Sequence, residues 1–278
     1  MNSDPATILF ATDGTPASGR ARGAAAYLAR SADAVLHVVH VWAPATTMTG
    51  DKEVDRGIAA GVASSESGVI EGQLSCPVAG VHTPEGSRAH GILATAAVVD
   101  AGLIVVGGRN LGVVEELFTY RVSEDVIHHS FRPVLLVRED GPPWPPRHVV
   151  VGCDLSPEAA RAARLAAWIA RVSDAELVLV AVVGSDGSAR DEATGRLGAL
   201  AEELRAESGA RPITVRVATG ADVPAVLRDE CKFPGSPLLA IGARGSSAVN
   251  RAPEFSVSRS MTHHTHLPLL LVPRATGR

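Results

Sequence analysis

The sequence predicts a two-domain α/β protein in which each domain contains a parallel β-sheet covered by helices. The chain has 278 residues, more than the ~100 to 200 that one compact domain usually contains. Its apolar runs are continuous in valine, isoleucine and leucine, which is typical of strands buried on both faces of a parallel sheet. These runs alternate with helical patterns, and the alternation occurs twice along the chain.

Two long segments of the chain are repeated. An apolar strand, an aspartate, a hydroxyl residue, a proline and a helical pattern follow one another in residues 7–29 and again in residues 148–170. Later, VIHHSFRPVLLV at 126–137 aligns with MTHHTHLPLLLV at 261–272. The agreement of both segments indicates an internal duplication, so each half is expected to have the same fold.

Each repeat contains five predicted strands joined by helical patterns. After each first strand, small apolar residues recur on one helix face, which favours close packing on the sheet. Thr15 and Ser156 are placed to cap these helices, each ahead of a proline at the first helical position. The pattern of residues 50–73 predicts a loop followed by an exposed helix. The predicted strands are TILFAT, VLHVVHVW, CPVAGVH, LIVVGG and PVLLVR, then HVVVGC, ELVLVAVV, ITVRVAT, LLAIGA and LPLLLV.

The residues EDGPPWPPR separate the two repeats. Prolines at this density cannot continue a central strand or a helix interior. Residues 141–146 are therefore predicted to be a linker between a first domain, 1–140, and a second domain, 147–278. Trp144 within this linker is expected to pack against a domain, because its large apolar area favours burial.

Charge and composition exclude several classes of function. Lysine and arginine number 26 and aspartate and glutamate 30, giving a formal charge of -4. No run of like charges suggests nucleic acid or anionic lipid as a partner. No apolar run approaches the ~18 residues that a membrane span needs, and the first residues lack the pattern of a secretory signal. We therefore expect a cytoplasmic protein that binds neither nucleic acid nor membrane.

The sequence predicts neither a metal site nor a catalytic site. Cys76, Cys153 and Cys231 are widely spaced, so they are expected to be buried thiols rather than a disulfide framework or a zinc site. Residues 263–266, HHTH, could supply imidazoles, but the first repeat has HHSF there and no cysteine or carboxylate cluster accompanies them. Neither a nucleophile elbow nor a phosphate-loop lysine is present. We therefore predict that the protein is not an enzyme.

The motifs ATDGTP, LHVVHVW, LIVVGGR and VSEDVIHHSFRPVLLV resemble those of the universal stress protein family, and the second repeat resembles it as well. The resemblance covers roughly residues 6–138 and 147–273. It implies a doubly wound, flavodoxin-like and Rossmann-like sheet of five strands in the order 3-2-1-4-5 in each repeat. It also implies that the repeats pack as an intrachain pseudo-dimer through their last strands. A further homodimer and an unidentified protein partner are open expectations.

Many members of this family bind ATP beyond the carboxyl ends of the first and fourth strands, where the strand order reverses. Their signature there is Gly-x-x-Gly, nine residues, then Gly followed by Ser or Thr. Glycines let backbone N–H groups approach phosphate oxygens, and the following helix N-terminus favours negative charge. In these relatives an aspartate that closes the first strand and a valine near the end of the second contact the adenosine.

The first repeat keeps only part of this signature. Tyr120 places a ring where the phosphate chain should pass, and Arg121 replaces the hydroxyl residue. Asn110 replaces the second glycine, a change that asparagine tolerates because it can adopt a left-handed backbone. The matching residues, which we interpret as vestigial, are Asp13, Val41 and Gly107.

The second repeat keeps more of the signature, and Phe255 replaces only the third glycine. Each lost charge-assisted hydrogen bond is worth about 1.5 to 3 kcal/mol, so two lost contacts weaken binding roughly 10² to 10⁴-fold. The candidate nucleotide-binding residues are Asp154, Val182, Gly242, Gly245 and Ser256.

Two hypotheses of function follow from the resemblance. In the first, the protein is a stress-associated scaffold with degenerate sites that acts through protein contacts, and Asp13 and Asp154 only stabilise the next helix. In the second, the second repeat binds an adenine nucleotide, ATP or AMP, and responds to it. We favour the first because Tyr120, Arg121 and Phe255 all replace residues at the phosphate positions.

Overall fold

The computed structural model describes residues 4–42, 49, 51–108, 119–184, 187–208, 213–242 and 257–274. The chain divides into two compact units, one of Pro5–Trp144 and one of Met1–Asp4 with Pro145–Arg278. The first unit contains the first repeat and the second unit contains the second. Trp144, at the end of the first unit, is half-buried.

Strands and helices alternate along the first repeat. A short 3-10 turn, Pro16–Ser18, precedes its first helix. The strands pair in parallel in the order β3-β2-β1-β4-β5. The elements are β1 (Thr7–Ala11), α1 (Gly19–Ala32), β2 (Val35–Val39), α2 (Lys52–Gln73), β3 (Val78–His82), α3 (Arg88–Val98), β4 (Leu103–Gly108), α4 (Thr119–His129) and β5 (Val134–Arg138).

The second repeat has the same succession of elements and the same parallel strand order, β8-β7-β6-β9-β10. The predicted α/β fold with strand order 3-2-1-4-5 in each repeat is therefore confirmed. The elements are β6 (His148–Gly152), α5 (Pro157–Ser173), β7 (Glu176–Val183), α6 (Gly187–Ser208), β8 (Ile213–Thr219), α7 (Val223–Glu230), β9 (Pro237–Gly242), α8 (Val257–His264) and β10 (Leu269–Val272).

The cores form for the reason that the sequence suggests. Helices cover both faces of each central strand, so an apolar side chain is buried whichever way it points. In β1, for example, Ile8, Leu9 and Phe10 are all fully buried. The small-residue faces of the first helix in each repeat are also buried, which confirms the predicted packing: Ala21, Ala24, Ala25 and Leu28 in α1, and Ala162, Leu165, Ala166 and Ile169 in α5.

One expectation about the elements is wrong in detail and another is incomplete. The second strand ends at Val39 and does not extend to Trp42, which forms an isolated bridge with Glu85 after the strand. Helix α2 is exposed along most of its length, as expected, but it also buries one face that includes Ala59, Ala63 and Ile70. Its buried positions recur every three to four residues, which is the spacing of a helix packed on a sheet.

The three cysteines are buried and form no disulfide, as expected. Burial is the main influence that raises the pKa of Cys153 and of Cys231 to about 12, so both thiols stay protonated at neutral pH. None of the helices in the described ranges is long and apolar enough to cross a membrane.

Candidate functional site

The predicted ligand positions lie where the first and fourth strands of each repeat end. In the first repeat, β1 and β4 pair with Ala11 opposite Val106, and Asp13 and Gly107 follow these residues. The strand order reverses at this point, where α/β proteins usually bind ligands. The equivalent residues in the second repeat are Asp154 and Gly242, which follow the paired Gly152 and Ile241.

The Asp13 carboxylate is bound by its own turn. Its Oδ1 accepts a hydrogen bond from the Thr15 backbone N–H at 3.0 Å and another from the Thr15 hydroxyl at 2.7 Å. The backbone N–H of Gly14 donates to the Thr12 hydroxyl at 3.0 Å, and Gly14 has a left-handed φ of 73°. Asp13 is exposed, yet its carboxylate already has a structural role in this strand-to-helix turn.

The turn of the second repeat has the same design. Asp154 Oδ1 accepts from the Ser156 backbone N–H at 3.1 Å and also from the Ser156 hydroxyl. The Ser156 hydroxyl oxygen accepts from the Ala159 N–H at 3.2 Å, so the predicted helix cap is confirmed. Leu155 takes the place of Gly14 and has a left-handed φ of 62°. Both aspartates therefore stabilise the turn that precedes the first helix.

Thr15 differs from Ser156, and its predicted capping role is wrong. The Thr15 side chain forms no cap hydrogen bond with the described helix N–H groups. The physical reason is that this helix begins with a 3-10 turn, in which the Ser18 N–H donates to the Thr15 carbonyl at 3.0 Å. The Thr15 hydroxyl instead donates to Asp13.

The two valines expected to contact adenosine differ in burial. Val41 is only 6% exposed. A Cβ added to Gly91 of α3 would lie 2.8 Å from both methyl carbons of Val41, so Val41 packs directly against that helix. Val182, the equivalent residue at the end of β7, is half-buried. Val41 in the first repeat is therefore covered, whereas Val182 in the second repeat is partly accessible.

Helix α2 lies against the Asp13 turn. A Cβ added to Gly14 would be 2.3 Å from Cγ1 of Val62. One turn further along α2, Glu66 is buried and its carboxylate accepts two hydrogen bonds from Arg22 Nη1, at 3.0 and 3.1 Å. This ion pair joins α2 to α1. The turn is therefore held between two helices that are themselves connected.

His40 lies beside the same turn. Its Nδ1 is 3.1 Å from the carbonyl oxygen of Thr12, and a carbonyl can only accept, so Nδ1 carries the proton. Burial is the largest influence on this imidazole and lowers the pKa of His40, partly opposed by the Thr12 hydrogen bond and by the charge of Asp13. His40 is therefore a neutral hydrogen-bond donor at neutral pH.

Sequence reasoning missed this polar cluster of Arg22, His40 and Glu66. Arg22 and Glu66 have the appearance of ordinary solvated charges on helix surfaces, and they are 44 residues apart. The spacing of Ala59, Ala63 and Glu66 on α2 was the available signal, because it places Glu66 on the buried face of the helix.

The two motif glycines that the structure describes differ in how closely other residues pack against them. A Cβ added to Gly107 would lie 3.4 Å from Ser18 Cα, an ordinary contact. A Cβ added to Gly242 would lie 2.9 Å from the backbone carbon of Glu158 and 3.0 Å from the backbone nitrogen of Ala159. Strand β9 therefore approaches α5 so closely that only glycine fits at position 242.

We expect Gly242→Ala to lower the free energy of unfolding of the second repeat by about 1 to 3 kcal/mol, because its methyl group meets a helix backbone that cannot rotate away. Gly107→Ala is the matched control, with its nearest contact at 3.4 Å, and it is expected to have a smaller effect. Urea denaturation followed by circular dichroism measures both changes. Equal losses at the two positions would contradict the packing explanation.

The remaining motif positions are described only in part. Tyr120 and Arg121 are in the first turn of α4, and their side chains lie outside the described residues. Ser123, in the same helix, donates its hydroxyl to the Gly107 carbonyl at 2.9 Å and so connects α4 to the end of β4. The other positions, which also lie outside the described residues, are Asn110, Gly245, Phe255 and Ser256.

Among the residues that the structure describes, no group of three or more histidine, cysteine, aspartate or glutamate side chains is arranged to hold a metal ion. The hydrogen bonds and the ion pair at the end of β1 stabilise the Asp13 turn and helices α1 and α2. They involve Asp13, Arg22, His40 and Glu66. The arrangement therefore holds the backbone at the end of β1 in place.

A family model described as Universal stress protein family matches residues 6–138 and 146–273. The chain is 33% identical over 134 residues to "Universal stress protein in QAH/OAS sulfhydrylase 3'region" of Thermus aquaticus; the match covers 48% of this chain and 98% of that protein. The match thus corresponds to one repeat of this chain.

Two solved structures are similar over nearly the whole chain. A universal stress protein from Archaeoglobus fulgidus has a TM-score of 0.75 at 20% identity, covering 96% of this chain and 98% of that one. A putative universal stress protein from Pseudomonas aeruginosa has a TM-score of 0.64 at 17% identity, covering 98% of this chain and 94% of that one. At these identities the likeness concerns the fold.

Proposed function

Because the chain belongs to the universal stress protein family, we propose that it acts in the stress response as a non-catalytic scaffold or regulatory protein. On this proposal its nucleotide sites are degenerate and bind ATP weakly or not at all. The observation that carries the proposal is the engagement of Asp13 and Asp154 by their own turns. Each carboxylate accepts two hydrogen bonds from the hydroxyl residue two positions later.

The packing around the first site supports the same proposal. For adenosine to contact Val41, α3 would have to separate from that side chain, which is now buried against Gly91. Exposing a well-packed valine costs about 1.5 to 3 kcal/mol, which reduces affinity by roughly one to two orders of magnitude. The loss adds to the one expected from Tyr120 and Arg121 at the phosphate positions.

A scaffold of this kind acts through its surfaces rather than through chemistry at a cleft. Its partner is then another protein, and self-association into a homodimer of the whole chain is one form that such a contact can take. In this proposal the Asp13 and Asp154 turns stabilise the fold and carry out no reaction step.

A second candidate function is favoured by one observation in the second repeat. Val182 is half-buried and Asp154 is exposed, whereas Val41 at the equivalent position of the first repeat is buried. We infer as the alternative that the second repeat binds an adenine nucleotide, ATP or AMP. The candidate residues remain Asp154, Val182, Gly242, Gly245 and Ser256.

Isothermal titration of the full chain with ATP, AMP and cyclic AMP tests both functions. The proposal predicts no saturable binding tighter than about 0.1 mM. Asp154→Ala and Asp13→Ala form a matched pair, because the two residues have the same hydrogen bonds in the two turns. Saturable binding that is lost in Asp154→Ala and kept in Asp13→Ala, with both variants folded by circular dichroism, would establish the alternative and overturn the proposal.

A variant that restores the motif makes the same test sharper. Phe255→Gly returns the missing glycine to the second repeat and is expected to raise ATP affinity by about 10-fold or more, one recovered hydrogen bond being worth at least 1.4 kcal/mol. Tyr120→Gly combined with Arg121→Ser is the counterpart in the first repeat. It is expected to gain less, because Val41 stays covered. An equal gain in both repeats would contradict the role assigned to the burial of Val41.

A further inference from the structure

Two histidines face each other on neighbouring strands of the first repeat. In the pairing of β2 with β3, His37 is opposite Gly80 and Val39 is opposite His82. Because side chains alternate along a strand, His37 and His82 lie on the same face of the sheet. His37 Nδ1 and His82 Nε2 are 3.1 Å apart, and both residues are partly exposed to solvent.

Gly80 provides the space for this pair. A Cβ added to Gly80 would lie 2.8 Å from His37 Nδ1 and 3.3 Å from His82 Nε2. The two imidazole rings therefore lie over the glycine, with their centroids 5.2 Å apart and their planes tilted by 42°. A residue with a side chain at position 80 would push the rings from this arrangement.

The fold does not require the histidine pair. In the second repeat, β6 pairs with β7 in the register in which β1 pairs with β2, and Val178 occupies the place of His37. Val178 is fully buried and pairs with Thr214 of β8. The same sheet is thus built without two imidazoles, so the pair needs an explanation other than sheet formation.

Both rings are available as ligands at neutral pH. Burial lowers the pKa of His37 and of His82, and for His37 the neighbouring His82 lowers it further. A neutral imidazole has a lone pair on one ring nitrogen, which is the form that coordinates metal ions. Without an ion the two facing nitrogens form a hydrogen bond, so one of them carries a proton that a bound metal ion would have to displace.

We propose that His37 and His82 form a two-imidazole chelate site for a divalent late transition-metal ion, Cu²⁺, Ni²⁺ or Zn²⁺. Metal–nitrogen bonds of about 2.0 to 2.1 Å place neighbouring ligand nitrogens about 2.9 to 3.4 Å apart, from square-planar to tetrahedral geometry. The observed separation of 3.1 Å is within this range. Imidazole suits these ions, whereas Mg²⁺ and Ca²⁺ prefer oxygen ligands.

Two features characterise the proposed site: its small number of protein ligands and its position at the edge of the sheet. In the part of the chain that the structure describes, no third histidine, cysteine, aspartate or glutamate joins the pair, so water completes the coordination. Strand β3 is the outermost strand in the order of its repeat. An ion held by His37 and His82 therefore tethers β3 to β2, in addition to the backbone hydrogen bonds between them.

Titration of the full chain with Cu²⁺ alone tests the site, with Mg²⁺ as the negative ion. We expect one equivalent of bound Cu²⁺ whose electron paramagnetic resonance spectrum shows two nitrogen ligands. His37→Gln and His82→Gln should each weaken binding roughly 100-fold. The remaining imidazole would then bind the ion alone, without the second ligand that its neighbour supplies at high effective concentration. Unchanged affinity in either variant would overturn the proposal.

The matched control is the double variant His263→Gln with His266→Gln, which removes imidazoles from the HHTH segment and leaves the pair intact. Copper binding should be retained in this control, and its loss there would assign the ion to the other segment. Gly80→Ala keeps both ligands but adds a methyl group 2.8 Å from His37 Nδ1, so it should also weaken binding. If a histidine variant fails to fold, the copper affinity of Gly80→Ala tests the site in its place.

Discussion

Arg22→Ala is expected to lower the free energy of unfolding of the first repeat by about 2 to 4 kcal/mol. The Arg22 side chain is 24% exposed and the Glu66 side chain 9% exposed, so the pair is largely removed from water. Removing the arginine leaves the Glu66 carboxylate buried without its two hydrogen bonds from Nη1. The partial exposure of Arg22 makes the loss somewhat smaller than for a fully buried pair. Urea denaturation followed by circular dichroism measures it.

The double variant Arg22→Ala with Glu66→Ala is the control for this expectation. When α1 is aligned with α5 and the 22-residue helix α2 with the 22-residue helix α6, the equivalent residues are Ala163 and Ala201. Both of these alanines are buried, so the fold accepts alanine at both places together. The double variant should be more stable than Arg22→Ala. If it is less stable, the cost of the single variant comes from lost packing and not from the buried carboxylate.

Gly14→Ala is expected to lower the free energy of unfolding by about 2 to 5 kcal/mol, for two reasons that add. A left-handed backbone costs an ordinary residue about 1 to 2 kcal/mol, and Gly14 has a φ of 73°. The new methyl group would also lie 2.3 Å from Cγ1 of Val62, and such overpacking costs about 1 to 3 kcal/mol. Thermal and urea unfolding of the purified variant measure the sum.

The second repeat supplies the control for the Gly14 prediction. Leu155 occupies the equivalent position with a φ of 62°, so the second repeat accommodates a side chain there even though Arg196 of α6 donates to the Leu155 carbonyl oxygen at 3.1 Å. Leu155→Gly is expected to change the stability by less than about 1 kcal/mol, since relief of backbone strain is offset by the greater freedom of glycine in the unfolded chain. Gly14→Ala combined with Val62→Ala should recover the packing part of the loss. No recovery would show that the backbone conformation alone is responsible.

These two predictions concern the same structural feature, the support that α2 and α1 give to the Asp13 turn. If the turn is a rigid element of the fold, weakening its support should cost stability and create no nucleotide binding. ATP binding that appears in Arg22→Ala or Gly14→Ala would instead show that α2 excludes the nucleotide. The measurements of stability and of binding are therefore best made on the same variants.

The prediction from sequence was accurate where local patterns decide the structure. The continuous apolar runs and the duplicated order of motifs gave the strands, the helices and their parallel arrangement in each repeat. Ser156 was correctly predicted as a helix cap because capping depends on residues close in sequence. Thr15 was not, because the 3-10 turn after it changes which N–H groups are available. The buried face of α2 was missed because its glycines and serines weaken the apolar pattern.

The sequence by itself determined the family, the duplication and the fold of each repeat, because strand and helix patterns depend mainly on the order of apolar residues along the chain. Only the tertiary structure decided that Val41 is covered, that Gly242 is required by helix packing and that Glu66 is buried against Arg22. It alone placed His37 beside His82, 45 residues further along the chain. The physical reason is that side-chain burial and contact depend on which distant element packs on a residue, and no local pattern specifies that partner.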